Sequence, residues 1–216
     1  MERLDQFVDR ERSFTAAASH ELRTPLSVMM GAVDVLAVNE QSAASTRAIE
    51  RIKRACSEML AFIEATLYMS REDARQIDQS APADISAIVS RLLDDNEEQL
   101  RSHNIQVETH FNGSPKLKAP TSLLQISVGN LLRNAIEHTQ SGRVRIDVSS
   151  DSLTISDTGE GIPADKLQEV FDRSYTTKPG GTGLGLNLVR RICDRFHWQI
   201  DIKSETGVGT TVKITF

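Results

Sequence analysis

The stretch SHELRTP at residues 19–25 places an imidazole beside a carboxylate, with a hydroxyl four residues after the imidazole. Apolar residues recur around it at helical spacing and form one stripe: Phe14, Ala18, Leu22, Leu26, Met29, Val33 and Leu36. His20 and Thr24 share a face that is turned away from this stripe. Pro25 cannot donate to the carbonyl of Glu21, so we expect the helix to bend there. An exposed imidazole on a bendable helix suits a nucleophile that meets a separate donor site.

The composition of the chain limits its class. The chain has 216 residues, of which 39% are hydrophobic and 25% are charged, and its formal net charge is −5. These values are ordinary for one or two globular domains. No basic cluster with interleaved aromatic residues occurs, which argues against nucleic acid as a partner. Cys56 and Cys193 belong to no CxxC pair, so we expect buried thiols in a reducing compartment.

The sequence shows neither a membrane span nor a signal peptide. A span needs about 18 consecutive apolar residues, and the most apolar run, residues 28–38, is interrupted by Asp34. Residues 2–12 are charged and already follow a helical pattern, unlike the start of a secretory signal. We therefore expect a fragment of a longer protein whose missing part lies upstream.

Two amphipathic helices are predicted in the first third of the chain. The first covers about residues 2–37 and the second about residues 44–71, with a small polar connection between them. The stripe of the second helix consists of Ile49, Ile52, Cys56, Met59, Ile63 and Leu67. Because one hairpin cannot cover both stripes, we predict that residues 1–75 form an all-α dimerisation domain. Two copies would then complete a four-helix bundle, as a homodimer.

The pattern changes beyond a polar boundary segment at about residues 72–83. Residues 76–216 are predicted to form a second domain, an α+β two-layer sandwich. Its predicted helices lie at about residues 82–102, 121–138 and 184–197, and its strands at about residues 105–111, 143–149, 153–157, 199–203 and 210–216.

The first polar motif of this domain is NLLRNA at residues 130–135. Asn130 and Asn134 are four residues apart, so both amides project from one helical face. An amide oxygen is a suitable hard ligand for Mg²⁺. Taken alone, the pattern is better explained by two amides on a solvated surface.

The second motif is DTGEGIP at residues 157–163, directly after an apolar strand. A carboxylate at a strand end can accept a hydrogen bond from an exocyclic amine such as that of adenine. Gly159 and Gly161 let the backbone approach a flat base closely. A glycine-rich turn without a ligand is the alternative.

The third motif is GGTGLGL at residues 180–186, which opens a helix. Glycines before a helix N-terminus expose backbone N–H groups to anions. The spacing fits G-x-G-x-x-G poorly, and no βαβ unit precedes it, which argues against a dinucleotide-binding site of that kind. Residues 170–179 are polar and are predicted to form a mobile lid, on which Arg173 and Lys178 can meet phosphates.

Taken in order, these motifs resemble the H, N, G1, F and G2 boxes of sensor histidine kinases, over about residues 7–216. Phe171 matches the phenylalanine of the F box. The resemblance implies a Bergerat-type ATP-binding fold, with ATP and Mg²⁺ as ligands. It implies that Asn134 holds Mg²⁺ with Asn130 beside it, and that Asp157 contacts adenine. The nucleotide-contacting set that it implies is Asn130, Asn134, His138, Asp157, Gly159, Gly161, Phe171, Arg173, Lys178, Gly181, Thr182, Gly183, Leu184 and Gly185.

The resemblance also implies an activity. His20 would be autophosphorylated from ATP, with Glu21 as proton acceptor, and would pass the phosphoryl group to an aspartate of a response-regulator receiver domain. Thr24 matches the hydroxyl that assists water, which implies phosphatase activity toward that regulator. The family implies a cytoplasmic domain of an inner-membrane receptor, with membrane contact only through upstream segments. Two positions depart from the family pattern, because Glu137 and His138 stand where Lys and Tyr are commoner.

Two other classes compete with this interpretation. One is an ATPase of the same fold in which ATP drives a clamp, as in topoisomerases or mismatch-repair proteins. Such proteins lack the hairpin motif at residues 14–25. The other is a non-enzymatic dimerisation scaffold with a vestigial nucleotide domain, against which the retained polar residues argue.

Overall fold

The computed structural model describes residues 22, 26, 27, 29–34, 36, 43–70, 82–113, 115–172, 183 and 185–216. The chain divides into two compact units: a helical unit within residues 1–72, and an α+β unit built from residues 73–175 and 185–216. The predicted bend at Pro25 and the predicted boundary between residues 75 and 76 lie outside the described residues.

The helical unit is an antiparallel pair. Residues 29–34 are helical, and helix α1 spans Ala43–Ser70, close to its predicted range. Leu26 packs with Cys56 and Ile63 in a small apolar cluster. Further along, Asp34 Oδ1 pairs with Lys53 Nζ at 2.6 Å. Leu26 thus contacts the later part of α1, and Asp34 contacts its earlier part. This antiparallel order is that of the predicted hairpin.

The α+β unit begins with a short strand and two short helices. Strand β1 spans Ala83–Asp84, helix α2 Ile85–Asp95 and helix α3 Glu97–Ser102. The Asp84 carboxylate caps α2 by accepting from the N–H of Ala87 at 3.1 Å. The prediction of one helix over residues 82–102 was therefore wrong. Asn96 ends α2, because its side-chain amide donates to the carbonyl of Leu92 at 2.7 Å and competes with the helical backbone pattern.

Five strands form the main sheet, in the order β2-β4-β5-β7-β6. The remaining elements are β2 Ile105–Asn112, β3 Lys116–Leu117, α4 Thr121–Glu137, β4 Gly142–Ser149, β5 Ser152–Asp157, α5 Gly185–Phe196, β6 Gln199–Glu205 and β7 Gly209–Thr215. Strands β2 and β4 are parallel, and the other neighbours are antiparallel. Strands β1 and β3 pair separately.

The core lies between the sheet and the helices α2, α4 and α5. Residues that alternate along β4 and β5, among them Ile146 and Ile155, are buried with Leu132 of α4 and Val189 of α5. Their opposite neighbours on the strands are polar, which is the pattern of a sheet covered on one face. The α+β two-layer sandwich predicted from the sequence is confirmed.

The C-terminal strands close over an aromatic cluster. The Trp198 ring stacks on Phe196 with centroids 4.9 Å apart, and it meets the edge of Phe216 at 5.2 Å. Both cysteines are buried and unpaired, as expected. Burial raises the pKa of the Cys193 thiol to about 12, so it stays protonated at neutral pH. Among the helices that the structure describes, none has the length and apolar character needed to cross a membrane.

Candidate functional site

Asp157 ends β5 and is held by two backbone N–H groups. Its Oδ1 accepts from the N–H of Gly159 at 2.9 Å and from that of Thr210 at 3.3 Å. No donor among the described residues reaches Oδ2. The carboxylate therefore has one oxygen fixed by the protein and one able to accept a further hydrogen bond.

Burial raises the pKa of the Asp157 carboxyl above its ordinary value. The hydrogen bonds from Gly159 and Thr210 and the charge of His138 oppose this effect, while Glu160 adds to it. Desolvation is the largest of these influences, because half-buried carboxylates lose hydration that two N–H bonds replace only in part. A raised carboxyl pKa beside a close-packed glycine turn is typical of a binding site.

The turn after Asp157 is packed against the β6–β7 hairpin. A β-carbon on Gly161, whose φ is +67°, would stand 2.0 Å from the carbonyl oxygen of Glu205. A β-carbon on Gly209 would stand 1.9 Å from the carbonyl oxygen of Asp157. The N–H of Gly207 donates to the carbonyl of Glu160 at 2.8 Å. The hairpin and the turn thus form one layer, which only glycine allows at these positions.

The hairpin residues Ser204, Gly209 and Thr210 were missed by the sequence analysis. The short run GVGT at residues 207–210 carried a signal, because two glycines two residues apart at a strand start mark a close backbone approach. The sequence did not indicate which other segment approaches there.

His138 follows helix α4 and faces the same turn. Its Nδ1 lies 2.5 Å from Glu160 Oε1, and its carbonyl accepts from the N–H of Glu160 at 3.2 Å. A β-carbon on Gly159 would stand 2.2 Å from that carbonyl oxygen. The structure therefore brings His138, Gly159, Gly161 and Asp157 together, and gives the imidazole an acidic partner that was not foreseen.

The two amides of helix α4 differ in their surroundings. Asn130 is 4% exposed, its Nδ2 donates to the carbonyl of Ile126 at 2.8 Å, and its Oδ1 accepts from Arg133. The same Oδ1 lies where a β-carbon on Gly185 would approach within 2.9 Å. The side chain of Asn130 therefore lies buried between α4 and the start of α5.

Asn134, one turn later, is half-buried. Its side chain makes no hydrogen bond with another residue of the described ranges. In the same ranges, no group of three or more His, Cys, Asp or Glu side chains is arranged to hold a metal ion. A cation at this helix would therefore depend on the Asn134 amide oxygen together with oxygens of a ligand, which is a usual arrangement for Mg²⁺.

Phe171 is buried and fixed to helix α5 in two ways. Its carbonyl accepts from Asn187 Nδ2 at 2.9 Å, and the guanidinium of Arg190 lies 5.1 Å from the centre of its ring. This attachment anchors the start of the predicted lid. Gly183, just before α5, has a φ of +63°, which favours glycine.

Several predicted site residues lie outside the described residues. These are His20, Glu21, Thr24, Arg173, Lys178, Gly181, Thr182 and Leu184. Their roles stay predictions from the sequence.

Two protein families match the chain in succession. Residues 10–75 match the His Kinase A (phospho-acceptor) domain. Residues 120–216 match the family of histidine kinase-, DNA gyrase B- and HSP90-like ATPases. The second match covers Asp157 and the glycine turn, and the first covers the SHELRTP motif.

Proteins that are named as histidine kinases align with nearly the whole chain. The sensor histidine kinase AtsR of Burkholderia thailandensis is 26% identical over 236 positions, covering 99% of this chain and 38% of that kinase. A sensor-like histidine kinase of Rhizobium meliloti is 30% identical over 227 positions, covering 96% of this chain and 43% of that protein. The chain thus spans about two fifths of the length of these relatives.

A solved structure agrees with the fold. Full-length ShkA in complex with AMPPNP superimposes with a TM-score of 0.66 at 21% identity, covering 94% of this chain and 45% of ShkA. Similarity at this level of identity concerns the fold. With a phosphoacceptor domain preceding an ATPase domain of the histidine kinase type, the chain belongs to the sensor histidine kinases of two-component signalling.

Proposed function

We propose that this chain is a kinase core that transfers the γ-phosphoryl group of ATP to His20 and then to an aspartate of a response-regulator receiver domain. The observation that supports it best is the Oδ2 of Asp157 at the end of β5, which no donor in the described part of the chain reaches. The carboxylate lies beside a close-packed glycine turn, in a chain that also carries the SHELRTP motif. The carboxylate suits the binding of the nucleotide, and the motif supplies the histidine that accepts the phosphoryl group.

Asp157 recognises the adenine base in this proposal. Its Oδ2 accepts from the exocyclic amine, while Oδ1 stays bound to Gly159 and Thr210. Gly159 and Gly161 let the turn pack directly on the backbone of His138 and Glu205, which fixes the turn beside the base. The His138–Glu160 pair lines the same turn, where we expect it to contact the nucleoside.

The phosphates extend toward the start of helix α5 and the lid. Gly181, Thr182, Gly183, Leu184 and Gly185 offer backbone N–H groups there, as expected before a helix N-terminus. Arg173 and Lys178 add positive charge. Mg²⁺, held by the Asn134 amide oxygen and by phosphate oxygens, would neutralise charge on the transferred group.

His20 acts as the nucleophile. A neutral ring nitrogen attacks the γ-phosphorus in line, the bond to the β-phosphate oxygen breaks, and ADP leaves. Glu21 accepts the proton of the other ring nitrogen and stabilises the positive charge that develops on the ring. Positioning supplies much of the rate, because the reacting groups must be brought within about 3–3.5 Å. Thr24 is proposed to orient water when the regulator is dephosphorylated.

The exposed apolar residues of the helical unit support a homodimer. Leu22, Met29 and Leu36 recur every seven residues, as do Ile52 and Met59 of α1, and all five are between 37% and 52% exposed. The alternate heptad positions, Leu26 and Val33, are buried within the chain. A second copy that covers the exposed positions would complete a four-helix bundle. We expect the parent protein to be an inner-membrane receptor, with this core in the cytoplasm.

Incubation with γ-labelled ATP and Mg²⁺, followed by acid treatment, tests the proposal. The wild-type chain should gain an acid-labile label on His20, and His20→Ala should lose it while binding ATP as before. A clamp ATPase would release phosphate without labelling the protein, and a scaffold would do neither. A label that persists in His20→Ala would contradict the assignment of the acceptor.

A further inference from the structure

Ser204, near the end of strand β6, is the meeting point of three segments. Its Oγ accepts from the N–H of Ile162 at 2.8 Å, donates to the carbonyl of Gly209 at 2.9 Å, and lies 2.8 Å from the Oγ1 of Thr210. A serine hydroxyl has one proton and two lone pairs. Since the proton is given to Gly209, the Thr210 hydroxyl is the donor in the third contact, and the hydroxyl of Ser204 is fully used.

These contacts lead directly to Asp157. Thr210, whose hydroxyl is fixed by Ser204, gives its N–H to Asp157 Oδ1. Ile162, whose N–H is fixed by Ser204, ends the turn that starts at Asp157. One hydroxyl thus contacts both Thr210, whose N–H binds the carboxylate, and the far end of the loop that follows the carboxylate.

We propose that Ser204 is a positioning residue for base recognition, which fixes the glycine turn against β7 and so aims Asp157 Oδ2 at the exocyclic amine of the base. The inference rests on the proposed function, in which Asp157 accepts from that amine. Ser204 itself touches no nucleotide in this arrangement, and it lies 42 residues from Ile162 in the sequence.

The other contacts between the β6–β7 hairpin and the glycine turn do not replace the hydrogen bonds of Ser204. The bond from Gly207 to Glu160 and the close approach of Gly161 to Glu205 hold the middle of the turn. Neither restrains the side chain of Thr210 or the N–H of Ile162. The pairing of Asp157 with Thr210 between β5 and β7 fixes the backbone at the start of the turn. Loss of the Ser204 hydroxyl therefore frees the Thr210 side chain and the Ile162 end of the turn, and so loosens the loop that follows the carboxylate.

The test compares two nucleotides on the 216-residue chain by calorimetry. ATP carries the exocyclic amine, and purine riboside triphosphate carries hydrogen in its place. Wild type should prefer ATP. Ser204→Ala should lose roughly two- to tenfold of that preference, the range expected for one misdirected hydrogen bond, with the affinity for the amine-free nucleotide unchanged. Ser204→Thr, which keeps the hydroxyl and suits a strand, should restore the preference.

A neighbouring hydroxyl provides the control. Thr211 Oγ1 donates to Ser156 Oγ at 3.0 Å and contacts no residue of the glycine turn in the described hydrogen bonds. Thr211→Val should bind both nucleotides as wild type does. If Ser204→Ala is unfolded at the temperature of the titration, Ser204→Cys is used, whose thiol bonds weakly, and the same selective loss is expected.

The outcomes separate the inference from the proposed function. Equal weakening of both nucleotides by Ser204→Ala, or an unchanged preference, overturns the positioning role and leaves the Asp157 contact standing. A wild-type chain that binds both nucleotides equally overturns the adenine contact itself, and the role of Ser204 with it.

Discussion

Gly161 and Glu205 approach each other so closely that a β-carbon on Gly161 would lie 2.0 Å from the Glu205 carbonyl oxygen. Gly207, in the same hairpin, also has a positive φ, +78°, yet a β-carbon there would meet nothing within 4 Å. The two glycines therefore share a backbone conformation but differ in the space around them.

Alanine substitutions at these two positions should have unequal effects. Gly207→Ala is expected to cost the strain of the left-handed conformation alone, about 1–2 kcal/mol of unfolding free energy. Gly161→Ala should cost clearly more, since backbone must move, and should also weaken ATP binding. Denaturant unfolding and ATP titration measure both effects. Equal losses in the two variants would contradict the close approach.

Asp157→Asn should separate stability from binding. Because burial raises the pKa of the Asp157 carboxyl, its ionised form is unfavourable in the folded chain at neutral pH. An asparagine oxygen can still accept from Gly159 and Thr210. We expect an unfolding midpoint equal to or above that of wild type, together with ATP affinity weaker by about tenfold or more, as for a lost hydrogen bond to a charged group.

Asp151→Asn serves as the control for that substitution. A hydrogen bond from the hydroxyl of Ser149 lowers the pKa of the exposed Asp151 carboxyl. The ionised form is therefore favoured in the folded chain, and this contribution is lost as the pH falls through the lowered pKa. Asp151→Asn should leave ATP affinity unchanged and should not raise the unfolding midpoint at neutral pH. A rise in both asparagine variants would point to a general charge effect.

The pH dependence of binding should follow Asp157. The pKa of its carboxyl in the folded chain lies above the unfolded value of about 3.9. Its favourable contribution to stability is complete below the unfolded pKa and is lost as the pH rises through the folded pKa. ATP affinity should change in the opposite sense and weaken as acidification protonates the carboxylate.

The side chains of His138 and Glu160 also influence the Asp157 carboxyl. The difference between wild type and Asp157→Asn at each pH therefore isolates the carboxylate. That difference should shrink as the pH falls from 7 toward about 4, the ordinary range of carboxyls. A difference that stays constant over this range would show that Asp157 does not act through its charge.

The homodimer can be tested by substituting the exposed apolar residues of the helical unit. Met29→Lys with Met59→Lys would place four ammonium groups in the proposed interface, and burial of unpaired charge is strongly unfavourable. Ser27 and Ser57 are exposed on the same two helical segments, each two residues away and hence nearly on the opposite face. We expect the variant with Met29→Lys and Met59→Lys to sediment as a monomer. The control variant with Ser27→Lys and Ser57→Lys should stay a dimer. Dimers in both variants would place the interface elsewhere.

Thr24→Ala should affect the two proposed activities unequally. Autophosphorylation does not use the hydroxyl, so the rate of label incorporation should stay within about twofold of wild type. Dephosphorylation of the labelled receiver should fall by about 10²-fold or more, in the range of a lost acid–base or orienting group. Thr24→Ser restores the hydroxyl and should recover the activity. Parallel losses in both assays would remove the separate role of Thr24.

The periodic parts of the fold could be predicted from the sequence. Helices α1 and α4 and all five strands of the main sheet begin and end within about two residues of their predicted bounds. Their apolar residues recur with the period of a helix or a strand, because one face of each element is buried. The break at Asn96 was missed, since the apolar stripe continues across it and the side-chain bond to Leu92 leaves no mark in the pattern. The two-residue pair β1–β3 is too short to show a period.

The local half of the site was also predictable. Asp157, Gly159 and Gly161 adjoin one another in the sequence, after a recognisable strand. Thr210 is 53 residues away, and only the pairing of β5 with β7 brings it to the carboxylate. The register of a sheet is fixed by packing of the whole domain. The burial of Asn130 was hidden in the same way, because its spacing to Asn134 does not reveal that Gly185 packs on it.

The sulfur chemistry of this chain has a practical consequence. Cys56 lies within the hairpin and Cys193 beneath the sheet, both out of reach of solvent, so alkylating reagents should leave the native thiols unmodified. Two engineered cysteines, one at an exposed position of each unit, would then carry spin labels or dyes without background. The distance between the two units can thus be measured in a chain that needs no prior removal of its own cysteines.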